Sequence, residues 1–474
     1  MFHDKTMLGG GLSRLPASLD TLEASADFDA LARALDRQDA SGALPVALKG
    51  TWFDEGFDFR EPEGSAFADK VLDQLAAVET RNRKRRTGDQ INHETLVRKL
   101  LANGLRCFHF HKPARVAIQR RADRYKGKPQ WLSGTGMARA TDLLAKAGLA
   151  EVTVGRQGFG ASTFEPTATL LDLAQDAGIT EHSLTYRMLG DRLVRLRAGN
   201  RDTDLIPFAP TDETRLWKAQ LDSFNAFLAE QDIEIDLTEN EAAQLTARMN
   251  AVRAKGTLPF AKPELVRKDL YRQFNNGSFG QGGRLYGGWW INCPKDLRPH
   301  VTINGRPTVE LDYSGCMIRM LYHERGIDYR ADPYELEAMD ACERENGLPS
   351  DYFREAVKQM AQALINGEEG KRNEQIQLEP GQTFKPYFTR KEVMGVLRAK
   401  HEAIADAFET GAGVRLQRIE SDIALKIVSN LMAAGVTALP IHDSFIVVVD
   451  EKETLQNEMD SRYLDEFNYH PLIK

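Results

Sequence analysis

Cysteine is scarce in this sequence, which has four among 474 residues and no two of them in a C-x-x-C pair. Scattered cysteines argue against a disulfide framework and against a structural zinc site. No run of about 18 apolar residues occurs, so we expect no membrane-spanning helix. The first residues lack the apolar core of a secretory signal. These absences favour a cytoplasmic protein that does not bind a membrane.

Positive charge is in slight deficit over the whole chain but is concentrated in one segment. The chain has 62 Lys and Arg against 69 Asp and Glu, whereas residues 81–170 have 18 against 6. Such a segment is typical of a protein that contacts a polyanion such as nucleic acid. A solvated basic face is the alternative. We favour nucleic acid because the same segment has an ordered pattern of helices and strands.

The basic segment has the pattern of a small DNA-binding module. Helices are predicted over 92–105, 113–126 and 137–149, and a strand, a Gly-rich turn and a second strand follow within 150–171. This order resembles a winged helix-turn-helix, in which one helix enters the major groove and the hairpin touches the backbone. The same fold also mediates protein contacts, which stays the alternative. The basic side chains expected to contact DNA are Arg120, Arg121, Arg124, Arg139, Lys146 and Arg156.

Two apolar strands further along the chain each carry a carboxylate at one end. One is "TVELD", which ends in Asp312, and the other is "DSFIVVV", which begins with Asp443. Either aspartate alone is more often a turn-former than a ligand. If sheet pairing brings them together, they would bind two Mg²⁺ ions, because Mg²⁺ prefers carboxylate oxygens. Two such ions support phosphoryl or nucleotidyl transfer.

A helix predicted between these strands carries two cations on one face. Arg354 and Lys358 are four residues apart in "YFREAVKQMAQALING", a spacing that places both side chains on the same side. Such a face can hold the triphosphate of an incoming nucleotide. A solvated Arg–Lys pair is the ordinary alternative.

Five blocks, in this order, resemble family A nucleic-acid polymerases and their single-subunit phage-type RNA polymerase relatives. The blocks are "GGRLYG" (282–287), "LDYSGCMIRML" (311–321), "REAVKQMAQALING" (354–367), "LQRIESDIALKI" (416–427) and "IHDSF" (441–445). The resemblance covers residues 272–474. It implies an α+β fold of the right-hand polymerase type, with an antiparallel palm sheet, helical fingers and a short helical thumb.

The resemblance also implies a role for each matching residue. Asp312 and Asp443, with the main-chain carbonyl of Tyr313, would hold two Mg²⁺ ions, for which Mn²⁺ can substitute. Arg354 and Lys358 would hold the triphosphate of an NTP or dNTP substrate. The residues implied to contact primer or template are Arg284, Gln417 and His442.

Three positions depart from the family pattern at the expected nucleotide site. Met317 stands where the DNA-polymerising members have a Glu that excludes a ribose 2′-hydroxyl. Gln362 and Asn366 replace the Phe and Tyr of the finger helix. We expect low fidelity because an aromatic stacking surface is lost. Ser444, after Asp443, matches the RNA polymerases, so the choice between NTP and dNTP stays open.

The expected organisation has six segments. They are 1–80, an N-terminal helical region of unknown role; 81–205, the winged-helix-like domain; 206–265, a helical thumb-like arm; 266–322 and 416–474, the two parts of the palm; and 323–415, the fingers.

The leading interpretation is a template-directed nucleotidyltransferase, either a DNA polymerase or a primase-polymerase. It would use a DNA template with a primer, or RNA, in the replication of a plasmid, phage or other mobile element. The alternatives are a single-subunit RNA polymerase, a template-independent terminal transferase, and a replication-initiator-like DNA-binding protein whose palm is inactive. The presence of both aspartates and both finger-helix cations argues against an inactive palm.

Overall fold

The computed structural model describes residues 49–81, 83–125, 128–155, 160–199, 204–251, 259–367, 378 and 382–474. The chain divides into two compact units. The first comprises residues 1–186 and 242–266, and the second comprises residues 187–241 and 267–474. Residues 1–48 of the predicted N-terminal region, and the predicted wing residue Arg156, lie outside the described residues.

The fold is of the α+β class, with sheets that are mainly antiparallel. The described helices are α1 Glu63–Val78, α2 Thr87–Phe110, α3 Gly134–Lys146, α4 Ala168–Asp176, α5 Asp212–Ala229, α6 Glu239–Ala251, α7 Cys316–His323, α8 Glu337–Asn346, α9 Arg354–Asn366, α10 Arg390–Lys400, α11 Ala412–Ala433 and α12 Lys452–Phe467. None of these helices is long and apolar enough to cross a membrane.

The strands are short, and most lie in the second unit. They are β1 Thr51–Trp52, β2 Phe57–Phe59, β3 Val116–Ile118, β4 Ala150–Thr153, β5 Ser162–Pro166, β6 Leu184–Tyr186, β7 Val194–Leu196, β8 Ile233–Ile235, β9 Tyr271–Asn275, β10 Ser278–Tyr286, β11 Val301–Ile303, β12 Arg306–Asp312, β13 Leu439–Ile441 and β14 Ser444–Val448.

The first unit is built on a four-stranded sheet in the order β1–β3–β5–β4. Helix α2 packs on β5 and buries an apolar stripe that includes Leu96, Leu100 and Leu101. Helix α3 packs against α2, and its first turn is capped by the Ser133 hydroxyl, which accepts from the Gly136 amide at 3.0 Å.

The second segment of the first unit is fastened by a buried ion pair. Arg106 Nε donates to Glu264 Oε1 at 2.6 Å, and His111 Nε2 lies 2.7 Å from the same oxygen. The amide of Ala261 donates to the carbonyl of Phe110 at 2.7 Å. Because Arg106, His111 and Glu264 are each at most 5% exposed, the pairing offsets the cost of burying their charges.

The helix predicted over 113–126 is wrong. Residues 116–118 form β3, which lies between β1 and β5, and a short 3₁₀ turn follows at 122–125. Val116 and Ile118 are β-branched, and all three residues of the strand are buried. Burial in a central strand position therefore outweighs the helical spacing of the apolar residues.

The second unit contains a five-stranded antiparallel sheet in the order β13–β14–β12–β11–β8. All five residues of β14 are buried, which explains why the four residues after Ser444 are all apolar instead of alternating. Helices α11 and α12 pack on the sheet. Helices α5 and α6 of the predicted thumb-like arm are separated by β8, which extends this sheet at one edge.

A second sheet of this unit has the order β10–β9–β7 and packs against α11. Strand β7 pairs in parallel with β9, so Val194 lies opposite Arg272 and Leu196 opposite Phe274. Residues 187–205, predicted to close the winged-helix-like domain, therefore belong with the second unit.

Candidate active site

The register of β12 and β14 brings the two predicted carboxylates to the same end of the sheet. Asp312 lies opposite Ser444, and Leu311 lies opposite Phe445. The amide of Tyr313 donates to the carbonyl of Asp443 at 3.1 Å. Opposite residues of an antiparallel pair have Cα atoms about 4.5–5.5 Å apart. Asp312 and Asp443 are therefore close neighbours at one edge of the sheet.

Asp443 lies in a two-residue turn. Ile441 pairs with Ser444, which leaves His442 and Asp443 at the tip of the β13–β14 hairpin. His442 has a φ of 61°, a left-handed value that few residues with a Cβ adopt. Its Nδ1 is buried and has no hydrogen-bond partner among the described residues. That nitrogen is free to bond a ligand.

Burial raises the pKa of Asp443 to about 7, and the negative charge of Glu420 adds to the shift, while Arg284 opposes it. Near neutral pH this half-buried carboxyl is therefore poised between its two protonation states. A divalent cation would displace the proton, because carboxylates bind metals in the ionised form. Burial, with the charges of Arg284 and Arg298, lowers the pKa of His442 to about 3, so this imidazole is neutral.

Arg284, predicted to contact the primer–template duplex, is bound by a carboxylate of α11. Its Nε and Nη2 donate to the two carboxylate oxygens of Glu420 at 2.8 and 2.7 Å. Glu420 is only 3% exposed, so this bidentate pair is almost fully removed from water. Gln417, the other predicted duplex contact, is half-buried one turn earlier on the same helix. Glu420 was missed, because its pairing with Arg284 spans 136 residues and leaves no local signal in the sequence.

The predicted nucleotide-binding face of α9 meets a loop that follows α7. Arg354 Nη2 donates to Asp332 Oδ2 at 2.6 Å, and the amide of Tyr334 donates to Asp332 Oδ1 at 2.8 Å. Lys358 is exposed and has no ion-pair partner among the residues that the structure describes. Arg354 is therefore engaged by a carboxylate of the protein, and Lys358 is not.

Tyr334 joins this helix face to the carboxylate pair. Its hydroxyl and the Gln362 side chain are hydrogen-bonded, and its ring centroid lies 5.9 Å from the Arg354 guanidinium. Burial raises the pKa of Tyr334, and the negative charge of Asp443 adds to that effect. Asn366 donates its amide to the Gln362 carbonyl at 2.8 Å, so both substituted finger-helix positions are held by neighbours. Neither Tyr334 nor Asp332 was among the predicted site residues.

The first turns of α7 are buried behind the acid pair. Met317, at the position of the family's Glu, is 4% exposed. Arg319 is 3% exposed and donates to the carbonyls of Ser314 at 2.7 Å and Ala331 at 3.0 Å. Arg319 therefore fixes the loop that carries the Arg354 partner.

Two of the predicted DNA-contacting residues of the first unit, Arg120 and Lys146, are bonded to other parts of the protein. Arg120 donates to both carboxylate oxygens of Asp142 at 2.6 Å, which leaves it less available to phosphate. Lys146 donates to the Val78 carbonyl at 2.5 Å. The exposed residues of the set are Arg121, Arg124, Arg139 and Lys146.

The oxygen donors suit Mg²⁺, although they are few. Among the described residues, no group of three or more His, Cys, Asp or Glu side chains is arranged to hold a metal ion. The available oxygens are the carboxylates of Asp312 and Asp443 and the carbonyl of Tyr313, whose hydroxyl is fixed to the Met459 carbonyl at 2.7 Å. Mg²⁺ is commonly bound by one or two carboxylates together with substrate phosphates and water. These residues therefore fit Mg²⁺ bound together with a nucleotide.

No protein-family model matches the chain, and no curated protein matches it. Any assignment of function therefore depends on the geometry of this site and on the resemblance of the motifs.

Proposed function

We propose that the protein is a template-directed nucleotidyltransferase of the polymerase type. The observation that carries the proposal is the antiparallel pairing of β12 with β14, by which Asp312 lies beside the hairpin turn of Asp443. The position of Tyr334, between the α9 side chains and Asp443, adds support because it relates the cationic face to the acid pair. Acid pair and cationic helix together are what nucleotidyl transfer requires.

In this function, each residue of the site is assigned to one part of the reacting nucleotides or to the metal ions. The carboxylates of Asp312 and Asp443 would hold two Mg²⁺ ions, which would supply activation of the attacking hydroxyl and stabilisation of the leaving pyrophosphate. Arg354 and Lys358 neutralise the triphosphate and orient it. The neutral imidazole of His442 offers its unpaired Nδ1 to the primer end.

The order of elements in the first unit supports a DNA-binding role for that unit. A helix, a strand, a 3₁₀ turn, a second helix and a β-hairpin follow one another as α2, β3, residues 122–125, α3 and β4–β5. The last hairpin strand returns to pair with β3. This order is that of a winged helix, with α3 as the groove-facing helix. A DNA-binding unit joined to a nucleotidyltransferase suits the replication of a plasmid, phage or other mobile element.

A second candidate function is RNA synthesis by a single-subunit polymerase. Met317 favours it, because an apolar side chain presents no carboxylate against the 2′-hydroxyl of a ribonucleotide. Ser444, which donates to Glu310 Oε1 at 2.7 Å, also follows the pattern of the RNA-polymerising branch.

Incorporation of labelled nucleotides tests the function. The purified full chain is supplied with Mg²⁺ or Mn²⁺, with NTPs or dNTPs, and with single-stranded templates with and without a primer. We expect template-copied products, and we expect Asp312→Ala and Asp443→Ala each to lower incorporation by at least about 100-fold. DNA binding should change little, because the first unit is untouched.

Asp450→Ala is the matched control, because Asp450 is an exposed carboxylate in the same unit and pairs with Arg306. It should incorporate nucleotides at the wild-type rate. Products that ignore the template would indicate a terminal transferase. Absence of product under every condition would favour a DNA-binding protein with an inactive palm. Synthesis retained by either acid-pair variant would contradict the site.

A further inference from the structure

A cavity of about 990 Å³ lies in the second unit, apart from the acid pair. It is formed by the turn 190–192, strand β7, the extended residues 205–210 and the first turns of α5. One carboxylate lines it, that of Asp191. We refer to this cavity as the basic groove after its four cationic lining residues, which are Arg192, Arg195, Arg215 and Lys218.

Neighbouring residues set the positions of the groove cations. A Cβ at Gly190 would come within 2.9 Å of Lys218 Cε, so the glycine makes room for the lysine to lie across the groove. The Arg195 guanidinium stacks on the Tyr271 ring, 3.5 Å from its centroid, and Nε donates to the Arg192 carbonyl at 3.0 Å. Arg195 and Lys218 are therefore positioned by contacts with the protein, whereas the exposed Arg215 pairs with Asp212 at 2.7 Å.

Apolar surface lies between these cations. Leu205, which lines the groove, is 53% exposed, and Ile206 and Phe208 line it beside Leu205. If the flat face of a nucleobase covers this exposed leucine, binding is stabilised, because apolar surface is removed from water. A ligand with both negative charge and flat apolar groups therefore fits best.

A strip of aromatic rings leads from the groove to the hairpin turn of Asp443. Tyr271, under Arg195, lies 5.9 Å from Tyr286 between ring centroids, and Tyr286 lies 5.6 Å from His442. The three residues are half-buried, so each is partly exposed to solvent. We refer to Tyr271, Tyr286 and His442 as the aromatic strip.

The sheet register agrees with this path. Arg195 lies opposite Gln273, and Gln273 lies opposite Arg284 on the next strand. Neighbouring strands are about 4.8 Å apart, so the Cα atoms of Arg195 and Arg284 are roughly 10 Å from each other across the sheet. The groove thus begins close to the acid site, within the same unit.

We infer that the basic groove and the aromatic strip bind single-stranded nucleic acid, with phosphates on the groove cations and bases against the rings and Leu205. Proteins that hold single strands without sequence preference combine these two features. The bases of a duplex are stacked on one another, so their faces are not available to the rings. An acidic peptide would bind the cations but would gain nothing from the rings. Binding does not require a working acid pair, so this function is separate from catalysis.

Binding of a fluorescein-labelled single strand of about 12 nucleotides tests the inference. Anisotropy titrations with the full chain, repeated at several salt concentrations, give both affinity and salt dependence. We expect Lys218→Glu to weaken binding at least fivefold and to lower the salt slope by about one. Tyr271→Leu should weaken binding about tenfold, whereas Tyr271→Phe, which keeps the ring, should bind as the wild type does.

Lys452→Glu is the matched charge control, because Lys452 is exposed at the far end of β14 from the hairpin turn. It should leave the affinity unchanged, and Asp312→Ala should as well. Equal losses in Lys218→Glu and Lys452→Glu would overturn the inference. So would an equal loss of binding in Tyr271→Leu and Tyr271→Phe. Competition by poly-glutamate as effective as by the oligonucleotide would assign the groove to an acidic protein partner instead.

Photocrosslinking gives a readout that does not depend on variants folding normally. A 4-thiouridine-containing single strand is irradiated with the wild-type protein, and the attached peptides are identified by mass spectrometry. Crosslinks within 190–218 and 271–286 are expected. Crosslinks confined to the first unit would contradict the proposed site.

Discussion

At the scale of single residues, the main feature of the predicted nucleotide-binding face of α9 is that a carboxylate of the protein occupies one of its two cations. Arg354 is held by Asp332, while the neighbouring Lys358 projects to solvent. The Asp332 carboxylate stays ionised at neutral pH. Burial acts to raise its pKa, but the hydrogen bonds from Arg354 and the Tyr334 amide, together with the positive charge of Arg354, hold the pKa below its usual range. A triphosphate would therefore have to displace the Asp332 carboxylate before it could bind Arg354.

Asp332→Asn should lower the KM for the nucleotide about two- to fivefold, with little change in kcat. The reason is that breaking a partly exposed ion pair costs about 0.2–1 kcal/mol, which substrate binding would no longer have to supply. Steady-state incorporation at varied nucleotide concentration measures the effect.

Asp351→Asn is the control, because the Asp351 carboxylate is a charge near Arg354 that accepts no hydrogen bond from the Arg354 side chain, and Asn tolerates its positive φ of 61°. It should leave KM nearly unchanged. A rise in KM for Asp332→Asn would mean instead that Asp332 holds Arg354 in the orientation that the phosphate needs.

The sequence indicated the residues at strand ends and on one helix face, but not their partners. Asp312 and Asp443 could be predicted because an acid that ends an apolar strand is visible locally. Glu420 could not, since its role comes from Arg284, 136 residues earlier in the chain. Asp332 likewise acquires its role from a helix 22 residues later. Such pairings depend on tertiary folding and leave no local pattern.

At the scale of elements, the end of α9 meets the start of α11 at a glycine. A Cβ on Gly413 would lie 2.0 Å from Asn366 Oδ1 and 3.3 Å from its Cα. The helices approach this closely because position 413 has no side chain. This contact holds the C-terminal end of α9 against the helix that carries Glu420.

Gly413→Ala should therefore destabilise the protein by about 1–3 kcal/mol, because the added methyl overpacks the junction. Chemical denaturation measures the change. The double variant Gly413→Ala with Asn366→Ala should recover most of the loss, since the methyl then has room and the two effects are coupled. Gly395→Ala, in α10 with nothing within 4 Å of its added Cβ, is the control. Destabilisation of the same size in the control would show that the junction is not responsible.

Long amphipathic helices were predictable, and the three-residue strand β3 was not. The apolar spacing indicated α5 and α9 because each buries one stripe over three or more turns. The helix predicted over 113–126 was wrong because a three-residue strand, β3, has too few positions to show an alternating pattern.

At the scale of the whole molecule, the uneven charge of the chain is partly neutralised within the first unit. Arg120 forms an ion pair with Asp142, whereas Arg139 is exposed on α3. Counting basic residues therefore overstates the number of phosphates that the segment can contact.

Arg139→Ala should weaken binding of duplex DNA and lower the slope of log K against log salt by about one, whereas Arg120→Ala should lower it less. Anisotropy titrations of a labelled duplex at several salt concentrations provide the measurement. Arg306→Ala, in the second unit, is the control for loss of one positive charge. An unchanged slope for Arg139→Ala would mean that α3 does not face phosphate.

The division of the chain into units was beyond sequence patterns. Predicted boundaries followed changes in local composition, whereas the first unit takes its second segment from residues 242–266, after an excursion of the chain through the second unit. Nothing local in residues 242–266 distinguishes them from the arm in which they were placed.

The buried pair of Arg106 and Glu264 has a consequence for the order of folding. The two residues are 158 positions apart, so the first unit cannot complete its interior until residues 187–241 have been synthesised. A fragment ending at residue 186 would keep the Arg106 charge without its carboxylate, a loss of about 3–5 kcal/mol for a buried pair. Closing so long a loop is also slow. During synthesis, the first unit would thus complete its fold only after the start of the second unit has been made.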